Sequence, residues 1–405
     1  MTTSARHLVL TLALAVTSAL LAPTSTASAS ASASAPTHAS RPGPAAGAVA
    51  PGTEHGATRR ALDRYRAQGV PGAAAQVSGP GGAEWYGSSG SADLRGERPR
   101  RSEDRFRIGS ITKTFTATLL LQLEARGALS LDDTVDRWLP GLVRGPGGDG
   151  REITLRQLLN HTSGLPDYTD TPWFTYVFGE GFPRHRFTAY RPGELVAMAL
   201  RRPATSRPGA VWAYANTNYV LAGMVIEEAG GAPLRRQLRQ RVLTPLGLHA
   251  TRAAGRSVDL PRPHGRHHTE LPDGRIFPAT RLDLTAFGAA GDMISTGKDV
   301  NAFLRALLGG RLLPPRQQAA LLETVPIGTD GSAAYGLGLT RERLSCGVRI
   351  WGHGGVLNGS LSWAYSTQDG SRQVTVNLNG DWHANDEPLD QILEAEFCPA
   401  GAESG

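Results

Sequence analysis

The sequence predicts an α/β (α+β) fold in which an antiparallel sheet lobe, flanked by helices, carries an all-helical insertion lobe. Two observations predict it. Strand patterns stand at both ends of the chain and helical patterns in its middle, as expected of a sheet interrupted by a helical excursion. Asp369-Gly370 also lies between two alternating runs, Leu361 to Ser366 and Gln373 to Leu378, which is the strongest short-range signal for a hairpin. With 405 residues, 40% of them hydrophobic, the chain can bury a large core as one big domain or two packed lobes. The same figures exclude a disulfide-stapled miniprotein, a collagen-like repeat and a wholly disordered tail.

The elements follow in chain order. Arg6 and His7 precede an apolar run from Leu8 to Ala22, and Ala27-Ser28-Ala29 offers an A-x-A cleavage site. This three-part pattern reads as a secretory signal peptide over residues 1–29. The run is shorter than the roughly 18–20 residues of a spanning helix, so no membrane span is expected in the mature chain; the alternative is an uncleaved anchor. Residues 30–55 are mostly Ala, Ser, Pro and Gly, too poor in apolar bulk to order themselves, and read as a disordered leader. A folded domain is expected over 56–398 and a short tail over 399–405. Ala61 to Gln68 reads as a helix. Ala73 to Val77 and Ala83 to Tyr86 read as strands around a Gly-Pro-Gly-Gly hairpin. Thr112 to Arg126 is a helix with Phe115, Leu119 and Leu123 on one stripe and Gly127 as its stop. Between about residues 131 and 281 the pattern is helical, broken by Pro/Gly-rich loops such as Thr169 to Arg191. Thr296 to Leu308 is another helix, Arg349 to Trp351 another strand, and Asn385 to Phe397 a closing helix capped by Asn385 or Asp386, with Pro388 in its first turn.

A secreted chain meets an oxidising compartment, which makes Cys346 and Cys398, the only cysteines, candidates for a disulfide. Such a bridge would stabilise by roughly 3–4 kcal/mol; the alternative is one reactive and one buried thiol. The net charge of +6 is modest and comes from Arg, since Lys113 and Lys298 are the only lysines. Without basic runs the chain does not read as a nucleic-acid binder. No C-x-x-C or H-E-x-x-H occurs, and His264, His267 and His268 fall in a Pro/Arg-rich loop expected to be solvated. No metal or other cofactor is expected.

Three short motifs can carry chemistry. In Ser110-Ile111-Thr112-Lys113 the i, i+3 spacing sets the amine one helical turn from the hydroxyl. A serine hydroxyl needs a base to become a nucleophile, and a desolvated amine can be that base, which an always-protonated Arg cannot. The helix start adds free N–H groups suited to an oxyanion. Ser295-Thr296-Gly297-Lys298 has the same spacing, but there Thr296 and Asp299 read as a helix cap, a complete structural explanation. Tyr214-Ala215-Asn216 offers a proton relay and an amide that can hold a substrate amide; a packed Tyr and a capping Asn are the plain alternative. Trp351-Gly352-His353-Gly354-Gly355-Val356 follows a strand, with glycines that permit another backbone to approach, or that mark a bulge.

Taken together, S-x-x-K, Y-x-N and H-x-G in this order resemble the serine β-lactamase and penicillin-binding protein superfamily. Within it the chain is similar to class C β-lactamases and to the secreted D-alanyl-D-alanine carboxypeptidases of streptomycetes. Ile153 to Pro166 (ITLRQLLNHTSGLP), Pro208 to Glu228 and Pro245 to Leu248 support the resemblance, which runs from about Gly56 to Cys398. It implies a β-lactamase/transpeptidase-like fold, the Cys346–Cys398 bridge, and an acyl-enzyme on Ser110. Lys113 and Tyr214 would share the base and acid roles. Asn216 would bind the substrate amide, and His353 would stand where K-T-G enzymes carry Lys, polar and able to be cationic. Gly354, Gly355 and Val356 would line the substrate strand, with the Ser110 and Val356 amides as oxyanion hole. Implied partners are small peptides or β-lactams and cell-wall peptidoglycan, acted on by a monomer. The peptidase form of the third motif has Thr where Gly354 and Val356 stand and an upstream Arg where Thr340 stands, so recognition of a free carboxylate would lose donors worth roughly 1–3 kcal/mol each. The implied activity is a D-alanyl-D-alanine carboxypeptidase or D-amino-acid peptidase, with a class C-like β-lactamase or esterase as the alternative.

Overall fold

The computed structural model describes residues 55–398, apart from residues 97, 330 and 383–385. The expected signal peptide, leader up to residue 54, C-terminal tail and Asn385 cap lie outside the described residues. The chain opens with α1 (Gly56–Ala67), β1 (Gly72–Ser78), β2 (Glu84–Gly90), β3 (Phe106–Arg107) and the long helix α2 (Thr112–Ala125). A helical stretch follows: α3 (Val135–Trp138), α4 (Leu155–Leu159), α5 (Pro172–Phe178), α6 (Phe182–His185), α7 (Pro192–Leu200), α8 (Asn216–Gly230), α9 (Leu234–Leu238) and α10 (Thr244–Leu246). Short strands come next: β4 (Arg252–Ala253), β5 (His268–Glu270), β6 (Ile276–Pro278) and β7 (Met293–Ser295). Then come α11 (Gly297–Leu308), α12 (Pro315–Leu322), β8 (Val325–Ile327), β9 (Ala333–Tyr335), β10 (Thr340–Arg343), β11 (Arg349–Leu357), β12 (Ser360–Thr367), β13 (Gln373–Leu378) and α13 (Glu387–Phe397).

The main sheet has the order β2-β1-β13-β12-β11-β10-β9-β8, every neighbour antiparallel. The strands from the two ends of the chain meet one strand in from the β2 edge, Ala73 opposite Leu378. Glycine 370, at φ +69°, closes the β12–β13 hairpin, a conformation in which a Cβ would be strained. On one face α1 and α13 bury Leu62, Tyr65, Leu389, Ile392 and Leu393 against Val77, Val374 and Val376. The other core gathers α2, α8 and α11, with Phe115 stacked on Phe303 at 3.6 Å between ring centroids.

Three expectations are corrected. The α2 helix is buried at every residue from Thr112 to Leu121, well beyond the Phe115–Leu119–Leu123 stripe. Its threonines tolerate this because Thr114, Thr116 and Thr118 donate to the carbonyls of Gly338, Ala289 and Thr114, so no hydroxyl is left unpaired. The helical pattern expected to about residue 281 ends at α10; Pro261, Pro263, Pro272 and Pro278 hold the following segment to loops and short strands. His267 and His268 are buried, not solvated, and His267 Nδ1 lies 2.8 Å from the Gly359 carbonyl. Strands β8 to β10 extend the sheet beyond what the pattern predicts; β8 carries Pro326, which an edge strand accommodates.

Cys346 and Cys398 form a disulfide across 52 residues, with Cα atoms 6.0 Å apart. It ties the β10–β11 turn to the end of α13. Replacing both cysteines by serine should lower the unfolding free energy by about 2–4 kcal/mol, read from the urea midpoint; an unchanged midpoint would show that closing this loop contributes nothing.

Candidate active site

Ser110 sits in a single 3₁₀ turn, Gly109–Ile111, between β3 and α2. The turn is held from both sides. The Ile108 amide donates to the Met293 carbonyl of β7, and the hydroxyls of Ser360 and Ser362 on β12 donate to the Arg107 carbonyl. Pairing between β10 and β11 stops at Thr340–Gly352, so the stretch from His353 to Leu357 pairs only with β12, and the Ser110 turn packs against it. Two glycines allow the approach. A Cβ on Gly355 would lie 2.0 Å from the Ile108 carbonyl oxygen and 3.0 Å from the Ser110 nitrogen. A Cβ on Gly109, at φ +52°, would lie 2.9 Å from the Val356 nitrogen. The missing side chains therefore bring the Ser110 and Val356 amides together, the geometry an oxyanion requires.

Lys113 follows one turn later and is fully buried. Its Nζ lies 3.0 Å from Ser110 Oγ, 2.7 Å from Asn216 Oδ1 and 2.9 Å from the Ala290 carbonyl. Burial draws its pKa down to about 7, the charge of Asp167 resisting. A neutral amine has two hydrogens for Asn216 and Ala290 and one lone pair for the Ser110 hydroxyl, so the three neighbours match that state. Asn216, the first residue of α8, spends both ends of its amide: besides accepting from Lys113, its Nδ2 donates to Asp167 Oδ2 at 2.9 Å, and its backbone amide reaches the same oxygen at 2.8 Å. Asp167 itself is buried, which raises its pKa against these bonds.

Tyr214 lies over the amine, Lys113 Nζ being 4.8 Å from its ring centroid. Burial raises its pKa, and the nearby Ser110 hydroxyl only partly offsets this. Its own hydroxyl is buried beside the Ser110 hydroxyl, with no other hydrogen-bond partner among the described residues. His353 is 1% exposed. Its Nε2 is 2.8 Å from Tyr335 Oη and its Nδ1 2.5 Å from the Gly354 carbonyl. Burial, then the Lys113 charge, lowers its pKa to about 3. The expectation of a histidine able to be cationic is therefore corrected: the ring is neutral and stands behind Tyr214, at 6.2 Å between centroids. Val356 is half exposed at 48%, an apolar side chain beside the oxyanion amides.

The structure thus brings together Ser110, Lys113, Tyr214, Asn216 and the His353–Val356 strand. It leaves out the second S-x-x-K. Ser295 is fully buried and hydrogen-bonded to Thr251 at 2.7 Å; Lys298 is exposed; Thr296 caps α11 by accepting from the Asp299 amide. Thr340 donates its hydroxyl to the Gly352 carbonyl at 2.9 Å within the sheet, and Arg341 lies over Trp351. Asp167, His161 and Tyr335 join the site without having been singled out. His161 lies in, and Asp167 just after, the ITLRQLLNHTSGLP stretch, where a signal existed; Tyr335 lies on β9, which the pattern does not reveal.

The Beta-lactamase family model matches residues 58–396. Among solved structures, a D-stereospecific amidohydrolase from Streptomyces sp. is 46% identical, with a TM-score of 0.80 over 85% of this chain and 98% of that one. The D-amino acid amidase from Ochrobactrum anthropi SV3, complexed with L-phenylalanine amide, is 30% identical with a TM-score of 0.73, covering 84% and 98%. Among curated proteins, Penicillin-binding protein 4* of Bacillus subtilis (strain 168) is 28% identical over 283 residues, 67% of this chain and 60% of its own length. The chain spans little more than half the length of such curated relatives. On the family match and the nucleophile site it encloses, the chain belongs to the beta-lactamase family, the serine hydrolases of the β-lactamase and penicillin-binding protein superfamily.

Proposed function

We propose that this chain is a serine hydrolase that forms an acyl-enzyme on Ser110 and acts on amides and short peptides of D-amino acids. The observation that carries the reading is the buried Lys113 amine 3.0 Å from Ser110 Oγ. Neutral Lys113 takes the Ser110 proton as Oγ attacks the carbonyl carbon. The oxyanion is received by the Ser110 and Val356 amides. Tyr214 is disfavoured as a base because burial holds its hydroxyl protonated; it donates to the leaving nitrogen and is resupplied through Lys113. Water then releases the acyl group by the reverse sequence.

The substrate class rests on three supports. Relatives at 46% and 30% identity are named for D-stereospecific amide hydrolysis. Gly354 and Val356 offer no hydroxyl to a substrate carboxylate, and the Thr340 hydroxyl is already engaged in the sheet. A free C-terminal carboxylate, as a D-alanyl-D-alanine carboxypeptidase would bind, therefore finds fewer donors than an amide or an apolar residue does. The A-x-A leader and the disulfide favour an extracellular enzyme within reach of peptidoglycan-type peptides.

Three outcomes test this. Ser110→Ala should abolish covalent labelling by a fluorophosphonate, whereas Lys298→Arg should keep near wild-type activity; the opposite pattern would transfer the site to Ser295. Because the neutral form of Lys113 is the base, kcat/KM should rise with pH through about 7 and level above it; a limb near the ordinary lysine value would refute the neutral-amine mechanism. D-Phenylalanine amide should be hydrolysed over its L-enantiomer by more than about tenfold. Intact-mass analysis with benzylpenicillin separates the alternatives, since rapid consumption of the drug with little amide turnover would make the enzyme a β-lactamase.

A further inference from the structure

His161 is the one described residue other than glycine with a positive φ, +60°. That conformation costs a non-glycine side chain of order 1 kcal/mol or more and persists where surroundings enforce it. The enforcement is specific. The His161 carbonyl accepts from the Ala213 amide at 2.9 Å, and its ring Nδ1 accepts from the Ala215 amide at 3.1 Å. The amides of the two residues that flank Tyr214, Ala213 and Ala215, are thus both fastened to one residue. The imidazole also stacks on the Tyr214 ring, 4.3 Å between centroids and 30° from parallel.

The ring's own orientation is fixed in turn. Ser163 Oγ donates to Asn218 Oδ1 at 2.6 Å, which turns the Asn218 amide nitrogen toward His161 Nδ1, 3.1 Å away. With Nδ1 accepting, the proton resides on Nε2, 3.2 Å from Tyr335 Oη; Tyr335 then donates to His353 Nε2 at 2.8 Å, and His353 Nδ1 to the Gly354 carbonyl. The proton order runs one way from the Tyr214 loop to the substrate strand. The Tyr214 hydroxyl has the Ser110 hydroxyl beside it and no other partner among the described residues, so its placement rests mainly on the backbone and ring behind it.

We infer that His161 is a positioning residue for the reaction: it clamps the backbone on both sides of Tyr214 and stacks on its ring, holding the hydroxyl beside Ser110 where it can protonate the leaving nitrogen. This rests on the reading of Tyr214 as the proton donor. An amide needs that proton far more than an ester with a good leaving group does, so loss of position is read as a change in the ratio of the two activities. Merely structural damage lowers both alike.

The experiment compares D-phenylalanine amide with D-phenylalanine p-nitrophenyl ester, each rate taken per Ser110 titrated by a fluorophosphonate. His161→Gly keeps the positive φ and removes the ring; His161→Asn also accepts φ > 0 and offers Oδ1 near the place of Nδ1. The expected result is an amide kcat reduced about a hundredfold in His161→Gly at nearly constant KM, with ester turnover reduced by less than about tenfold, and partial recovery of the amide rate in His161→Asn. Equal losses on both substrates, or none, would overturn the inference. Should His161→Gly not fold, Tyr335→Phe, which removes the acceptor of Nε2, should show a smaller loss of the same selectivity, and parity there would overturn it too. Tyr214→Phe is the reference. If it spares amide turnover, the donor reading fails and takes this inference with it; if it shows the selective loss while His161→Gly does not, the inference alone fails.

Discussion

The desolvated contact between the Lys113 amine and the Ser110 hydroxyl, 3.0 Å apart on a fully buried lysine, is the constraint around which the rest of the site is arranged. A charged ammonium without solvent would be costly, and the fold meets this by lowering its proton affinity instead of pairing it tightly. Asp167 is near enough to resist the shift, but its carboxylate is turned to two donors from Asn216 and to the Thr169 amide. Asn216 stands between the two, accepting from one and donating to the other. An amine that has given up its proton has one lone pair to use, and Ser110 is where it points.

The second requirement is a backbone one. An oxyanion needs two N–H groups from segments far apart in sequence, and a strand cannot approach a turn this closely past a Cβ. Gly109 and Gly355 remove the obstacle from opposite sides. The sheet contributes by what it leaves unpaired: β10 separates from β11 at Gly352, and the Ser110 turn packs against the strand just beyond. The arrangement of β12 hydroxyls on the Arg107 carbonyl keeps turn and strand in register.

Buried polar groups elsewhere in the site illustrate the same economy. His161, Tyr335 and His353 are all buried, yet each hydrogen-bonding nitrogen or oxygen has a partner. Tyr214 is the exception: its hydroxyl has the Ser110 hydroxyl beside it and no other partner among the described residues, and a buried hydroxyl so thinly partnered is a cost that structures rarely carry without a use. Its neighbours are neutral because burial, and the Lys113 charge whenever that amine is protonated, act against protonating either imidazole. The site thus concentrates proton chemistry on a few groups and keeps its surroundings electrically quiet.

The sequence by itself determined much. The hairpin at Asp369-Gly370, the terminal helices and the S-x-x-K spacing are local signals, and local geometry makes them legible: a helix fixes Ser110 and Lys113 one turn apart wherever it is placed. The cap at Thr296 was equally local, and it already distinguished the second Ser/Lys pair. Tertiary structure decided the chemistry's state and its company. A lysine's pKa depends on how much water surrounds it, which no spacing encodes, and His353 became neutral for the same reason. Asp167, His161 and Tyr335 reach the site from a loop, a strained turn and a strand that the pattern did not reveal, because their contacts span tens to hundreds of residues. What a motif could say was which atoms were available; only the packing decided which of them carry a proton.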